Sequence, residues 1–146
     1  MEVFCMIKLI CSDVDGTLVP DGGHELNPEY FMQIRRLKKA GILFAAVSGR
    51  SYSSLKKLFA PVIDDILFIC DNGARTIYRG NLLSCCTIRR DLALDIVREI
   101  EELPGCTTYI SAMKDGYVKE GADELYQWLT EGYELDIIKL KRMPED

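Results

Sequence analysis

Residues 8–19, KLICSDVDGTLV, constrain the fold more strongly than any other stretch of this chain. An apolar run stops at Ser12, and two aspartates follow, Asp13 and Asp15, before a Gly-Thr pair turns the chain away. A short apolar run bounded by turn residues is typical of a buried β-strand. Ligands of open α/β sheets bind at the carboxyl ends of such strands, and an unpaired buried carboxylate is costly. We therefore expect both aspartates at a ligand site.

Two carboxylates at a strand end suit phosphoryl transfer through a covalent aspartyl phosphate. Asp13 would be the nucleophile, and Asp15 would protonate the leaving oxygen and later deprotonate the attacking water. Mg²⁺ prefers hard oxygen ligands, so the same two residues form the predicted metal site. Main-chain N–H groups of the turn at Gly16 would point at phosphoryl oxygens. A bare Asp-x-Asp pattern is common, whereas Asp-x-Asp-Gly-Thr-Leu after an apolar strand is specific.

Two further apolar runs follow, at residues 42–47 (ILFAAV) and 66–70 (ILFIC). A helix separates the first two runs, because Asn27-Pro28 is a helix start and Gly41 a helix end. A shorter helix is predicted over residues 51–59. Strands joined by helices in this way should be parallel, with right-handed crossovers. The sequence therefore predicts an α/β fold with a parallel central sheet.

Polar residues follow the second and third predicted strands. Ser48 could donate its hydroxyl to a phosphoryl oxygen, Gly49 lets a main-chain N–H approach, and Arg50 is a candidate for the substrate's distal groups. Asn72 would lie at the mouth of the same pocket, because parallel strands end at one edge of the sheet. A plain strand-to-helix turn at Ser48-Gly49 and an ordinary turn at Asn72-Gly73 remain the alternatives.

These motifs resemble those of the haloacid dehalogenase (HAD) superfamily of phosphatases. Residues 13–18 (DVDGTL) are similar to its first motif, and residues 47–50 (VSGR) and 70–74 (CDNGA) narrow the resemblance to the Cof-type, α/β-capped (IIB) branch. The resemblance implies a Rossmann-like core with an inserted α+β cap. It also implies Mg²⁺ dependence, small phosphorylated substrates of the sugar-phosphate type, and a phosphoryl-binding role for Ser48.

The second half of the chain reads as part of such a cap. A hairpin is predicted over residues 76–88, and we place the boundary within it, with core residues 1–83 and partial cap residues 84–146. The cap pattern is a helix at 91–103, a hairpin at 106–111 and 117–119, a helix at 122–130 and a strand at 135–140. Trp128 is expected in the core of this cap.

The resemblance ends before the family's third and fourth motifs, which supply a lysine and an acidic pair. Lys139 and Lys141 precede any return to the core, and Glu145 and Asp146 lack the Gly-Asp-x-x-Asn-Asp setting, so none of them is assigned a role. The C-terminal part of the core is therefore expected to be missing, and the chain to be truncated within the cap. The terminal pair lies outside the residues that the structure describes.

Two expectations follow from that departure. Without the missing motifs, the repulsion between the Asp13 carboxylate and a substrate phosphate is less well compensated. One such like-charge pair at ~4 Å costs on the order of 4 kcal/mol, or roughly three decades in rate, so the 146-residue chain should be a poor phosphatase. The strand at residues 7–11 should have an open apolar edge, which a homo-oligomer or a complementing C-terminal segment would cover. A binding module, a non-functional remnant and a phosphomutase are the alternatives to a phosphatase.

Composition and charge argue against a nucleic-acid-binding, membrane-spanning or secreted protein. The chain is acidic, with a formal net charge of −5, which argues against nucleic acid as the main partner. No apolar run approaches the roughly 20 residues of a membrane span, and no secretory leader is evident. The six cysteines follow no Cys-x-x-Cys spacing and indicate reduced, buried thiols in a cytoplasmic protein. The lone histidine, His24, is expected to be incidental.

Overall fold

The computed structural model describes residues 7–20 and 23–142. The chain divides into two compact units, Met1–Cys86 and Thr87–Asp146, which are called the N-terminal and the C-terminal unit below. Each has its own sheet.

The N-terminal unit contains a five-stranded sheet in the order β1-β2-β3-β4-β5. The pairs β1/β2 and β2/β3 are parallel, and the pairs β3/β4 and β4/β5 are antiparallel. The predicted parallel sheet is thus extended by the predicted hairpin. The strands are β1 (Leu9–Asp13), β2 (Leu43–Val47), β3 (Ile66–Cys70), β4 (Arg75–Tyr78) and β5 (Asn81–Cys85).

Helices α1 (Pro28–Lys39) and α2 (Tyr52–Leu58) connect the parallel strands. Helix α1 begins at the Asn27 cap that the sequence indicates, and the cap of α2 is Ser51, the first residue of the predicted shorter helix. The Asn27 side chain accepts a hydrogen bond from the main-chain N–H of Glu29, and Ser51 accepts one from Ser54. Such caps satisfy N–H groups that the first helical turn leaves without partners.

One face of the sheet packs into the main core. The register places Phe44 beside Ile66, and all of the side chain of Phe68 is buried in the next row. The Phe68 ring makes edge-on contacts with Tyr52 and Phe59, at centroid distances of 5.4 and 6.0 Å. Strand β3 is thereby packed against the first residue of α2 and against the residue that follows this helix.

The parallel strands end at one edge of the sheet. Asp13, the last residue of β1, pairs with Val47, the last residue of β2, and Val47 pairs with Ile69 of β3. Because the register is level, the residues that follow β1, β2 and β3 emerge side by side.

Strand β1 is an edge strand of this sheet, and within the described ranges it pairs with β2 alone. Leu9 is 46% exposed and Cys11 is exposed. The apolar edge that the sequence indicates is therefore present in this unit.

The C-terminal unit contains helix α3 (Arg90–Glu101) and a three-stranded sheet in the order β6-β7-β8. Its strands are β6 (Tyr109–Ser111), β7 (Gly116–Lys119) and β8 (Ile137–Leu140). The pair β6/β7 is the predicted hairpin, and β8 joins β7 in parallel. A Cβ at Gly116 would lie 2.5 Å from the Tyr109 ring, so a side chain does not fit there.

The predicted helix over residues 122–130 is divided. Helix α4 (Asp123–Gln127) is followed by a π-helical turn, Trp128–Gly132. The expectation that Trp128 lies in a core is wrong, because Leu129 points inward in its place and Trp128 is 57% exposed. The Trp128 ring instead rests against Tyr133, with the ring centroids 4.8 Å apart.

The cysteine prediction holds only in part. All five described cysteines are free, but Cys70 alone is buried. Cys11 lies on the edge strand β1, and Cys85 and Cys86 lie at the end of β5. Edge positions leave thiols accessible that a central strand would bury.

The α/β fold class predicted from the sequence is confirmed. Within residues 7–20 and 23–142, none of the helices combines the length and apolar character that crossing a membrane requires.

Candidate active site

The turn after β1 is closed by its own main chain. Val14 is fully buried, and its carbonyl oxygen accepts hydrogen bonds from the N–H groups of Leu18 and Val19 at 2.8 and 3.0 Å. Gly16 has a φ of +77°, a conformation that glycine adopts without strain, and its N–H donates to the Val19 carbonyl. The N–H of Gly16 is thus engaged within the turn, and its predicted contact with phosphate stays a prediction.

Asp13 lies at the tip of β1 and is exposed. The Thr17 hydroxyl donates to one of its carboxylate oxygens at 3.1 Å. Among the described residues, no cationic side chain forms an ion pair with Asp13. A carboxylate held by one hydroxyl and open to solvent can reach an incoming electrophile.

Asp15 is held much more tightly, by Arg50. The Arg50 Nε donates to both carboxylate oxygens at 3.1 Å, and a terminal nitrogen donates to Oδ1 at 2.7 Å. The Arg50 residue is only 4% exposed, whereas Asp15 remains partly accessible. This is the fork-shaped geometry in which arginine binds carboxylates most strongly.

Ser48 connects the first two strand ends. Its hydroxyl donates to Asp15 Oδ2 at 3.2 Å and accepts a hydrogen bond from the main-chain N–H of Arg50 at 3.1 Å. Ser48 is 5% exposed, because the turn after β2 lies against β3, where its N–H donates to Ile69. The hydroxyl therefore lies beside Asp15, at the edge of the sheet.

The turn after β3 brings Asn72 to the same place. Asp71 and Asn72 both have a left-handed backbone, with φ of 52° and 54°. The Asn72 N–H donates to the Ser48 carbonyl at 3.3 Å. A Cβ at Gly49 would lie 2.8 Å from the Asn72 amide oxygen, so the absence of a side chain at Gly49 lets the two turns meet.

Sequence reasoning missed an ion pair at the base of this turn. Arg75 donates to the Asp71 carboxylate at 2.5 Å, and both side chains are largely buried. The hydrogen bond to Asp71 raises the pKa of Arg75, and burial together with the Asp71 charge raises the pKa of the Cys70 thiol to about 12. The signal available in the sequence was the pair of opposite charges, Asp71 and Arg75, four residues apart on either side of the Asn-Gly turn.

The structure brings together Asp15, Ser48 and Arg50 in one hydrogen-bonded group. Asn72 joins this group through its main-chain hydrogen bond to Ser48 and lies against Gly49. Asp13 belongs to the same strand end but makes its described side-chain hydrogen bond to Thr17. In the part of the chain that the structure describes, no cluster of three or more His, Cys, Asp or Glu side chains is suited to a metal ion.

The sequence profile of the haloacid dehalogenase-like hydrolases matches residues 10–142. The chain belongs to this family. The solved structure of a protein from Eubacterium rectale superposes with a TM-score of 0.86 and 32% identity, over 96% of this chain and 53% of that one. Phosphoglycolate phosphatase 1 of Saccharolobus solfataricus is 33% identical over 99 residues, which are 67% of this chain and 42% of the relative.

A HAD subclass IIB sugar phosphatase has the same fold, with a TM-score of 0.73 at 16% identity, over 91% of this chain and 52% of that one. The family recognised from residues 13–18, 47–50 and 70–74 is confirmed by the profile match over residues 10–142, and the Cof-type (IIB) branch stays a prediction. The chain spans about half the length of the relatives it matches.

Proposed function

We propose that this chain provides the site of a Mg²⁺-dependent phosphatase that hydrolyses small phosphorylated metabolites through a phosphoryl group on Asp13. The observation that carries the proposal is the contrast between two neighbouring carboxylates. Asp13 is exposed and held by a hydroxyl, whereas Asp15 is fixed by a guanidinium and by Ser48. Asp13 is suited to nucleophilic attack, and Asp15 is suited to general acid–base catalysis.

The reaction would proceed in two displacements. In the first, an Asp13 carboxylate oxygen bonds to phosphorus, the bond to the leaving oxygen breaks, and Asp15 gives that oxygen its proton. In the second, water attacks the phosphorus, Asp15 takes a proton from the water, and the bond to Asp13 breaks. The products are an alcohol and inorganic phosphate, and both aspartates return to their initial state.

The donor set fits Mg²⁺ only partly. Mg²⁺ in proteins commonly takes one or two carboxylates together with phosphate oxygens and water. Asp13 would hold the ion through its exposed carboxylate, whereas both carboxylate oxygens of Asp15 already accept hydrogen bonds from Arg50. Asp15 would therefore contribute its main-chain carbonyl. The ion, when bound, supplies positive charge against the substrate phosphate.

The substrate class is proposed from the relatives, whose names include phosphoglycolate and sugar phosphatases. The two units are proposed to be a core and part of a cap, and the core to be completed by a second copy or by a complementing segment at β1. A cytoplasmic location is proposed because the five described cysteines are free, as in a reducing compartment.

Turnover of phosphate esters by the purified chain tests the proposal. Release of inorganic phosphate should require Mg²⁺, stop in EDTA and fall to the buffer level in Asp13→Asn. Asp95→Asn is the matched control, because Asp95 is an exposed carboxylate on α3 that forms an ion pair with its near neighbour Arg98. Equal turnover in Asp13→Asn and in the control would refute a catalytic role for Asp13.

A further inference from the structure

We infer that Arg50 is a positioning residue that holds the Asp15 carboxylate in place, and that it does not bind the substrate. This inference deepens the proposed function and rests on it for its kinetic part. The starting point is that three Arg50 hydrogen bonds end on Asp15, at 2.7 to 3.1 Å.

The other side of the guanidinium is anchored as well. One terminal nitrogen donates to the Gly23 carbonyl at 2.8 Å, and the second lies 3.4 Å from the Ser54 hydroxyl on α2. A guanidinium has five donors in a rigid plane, so contacts at both ends fix its orientation. Arg50 thus connects the loop before α1, the first turn of α2 and the aspartate.

Burial decides between positioning and substrate binding. The Arg50 side chain is 2% exposed, whereas the Asp15 side chain is 26% exposed. A ligand that arrives from solvent therefore meets Asp15 before it meets Arg50. On this inference Arg50 acts on Asp15, in place of the role at the distal groups of the substrate that the sequence predicts.

Position matters because a general acid or base must be within hydrogen-bond reach of the atom it serves. Ser48 alone would hold one oxygen of Asp15, at 3.2 Å, and leave the carboxylate free to rotate. Arg50 contacts both oxygens and removes that freedom.

The first test is structural and needs no activity. Crystal structures of the chain with Arg50→Gln and Arg50→Lys are compared with the parent protein. Arg35→Gln is the matched control, because Arg35 also donates to a main-chain carbonyl, that of Pro61, but lies on the exposed surface of α1. Asp15 should leave hydrogen-bond distance of Ser48 in Arg50→Gln and stay in place in the control. An unmoved Asp15 in Arg50→Gln overturns the inference, and Arg50→Lys serves if Arg50→Gln does not fold.

The second test compares leaving groups. An alkyl phosphate needs a proton from Asp15 when its bond breaks, whereas p-nitrophenyl phosphate does not. In Arg50→Lys, kcat/KM for glycerol phosphate should fall by about 100-fold, the usual worth of a positioned acid, and kcat/KM for p-nitrophenyl phosphate by much less. An equal fall for both esters, or a rise in KM with kcat unchanged, overturns the inference. Absence of turnover in the parent chain would refute the proposed function, and the structural test would still decide the role of Arg50.

Discussion

Replacing Gly49 with alanine should damage the active site through a single contact. A Cβ at Gly49 would lie 2.8 Å from the Asn72 amide oxygen, whereas ordinary van der Waals contact begins at 3.4 Å. The next atoms of Asn72 would be at 3.5 and 3.6 Å, so the overlap involves one atom of an exposed side chain. We expect a loss of about 1 kcal/mol in the free energy of unfolding, at the low end for an overpacked site.

Thermal unfolding followed by circular dichroism measures this loss, which corresponds to roughly 4 °C for a unit of this size. The suppressor is Asn72→Gly, because glycine removes the amide and tolerates the backbone φ of 54° at this position. Gly49→Ala should cost little in the Asn72→Gly background. Gly132→Ala is the matched control, since a Cβ there would have its nearest neighbour at 3.9 Å. A parent-like midpoint for Gly49→Ala, or an undiminished loss beside Asn72→Gly, would refute the reasoning.

Two further predictions concern the N-terminal unit. Burial and the Asp71 charge raise the pKa of Cys70 to about 12, which leaves little thiolate at pH 8. Iodoacetamide should therefore modify the buried Cys70 far more slowly than the exposed Cys106, and comparable rates would contradict that burial. The open edge at β1 predicts self-association of the parent chain, which light scattering should detect. Leu9→Lys should weaken this association, because a charge on an edge strand opposes strand pairing. A parent chain that is monomeric at all concentrations would contradict the prediction.

Much of the N-terminal unit follows from local patterns. Apolar runs before Asp13, Ser48 and Asp71 predict strands, the Asn27-Pro28 cap predicts α1, and parallel connections bring the three strand ends together. These features depend on residues close in sequence, which explains why they can be predicted without coordinates.

The features that could not be predicted depend on where side chains point and on where a strand lies in the whole sheet. The parallel strands β1 and β2 predict that Asp15 and Arg50 lie near each other, but they do not predict that the guanidinium turns inward to bind the carboxylate. Helical periodicity permits Trp128 or Leu129 to face the core, and the π-helical turn decides in favour of Leu129. The exposure of Cys85 and Cys86 depends on the position of β5 at a border of the sheet, which is a property of the whole sheet.

The most direct test of the central claim locates the phosphoryl group. The chain is incubated with Mg²⁺ and p-nitrophenyl phosphate, quenched and treated with borohydride, which reduces an aspartyl phosphate to homoserine and leaves free carboxylates intact. Peptide mass spectrometry should find homoserine at position 13 in the parent chain and in Asp95→Asn, and unmodified residues at that position in Asp13→Asn. Homoserine at another aspartate, or none at position 13 while phosphate is released, would contradict the account.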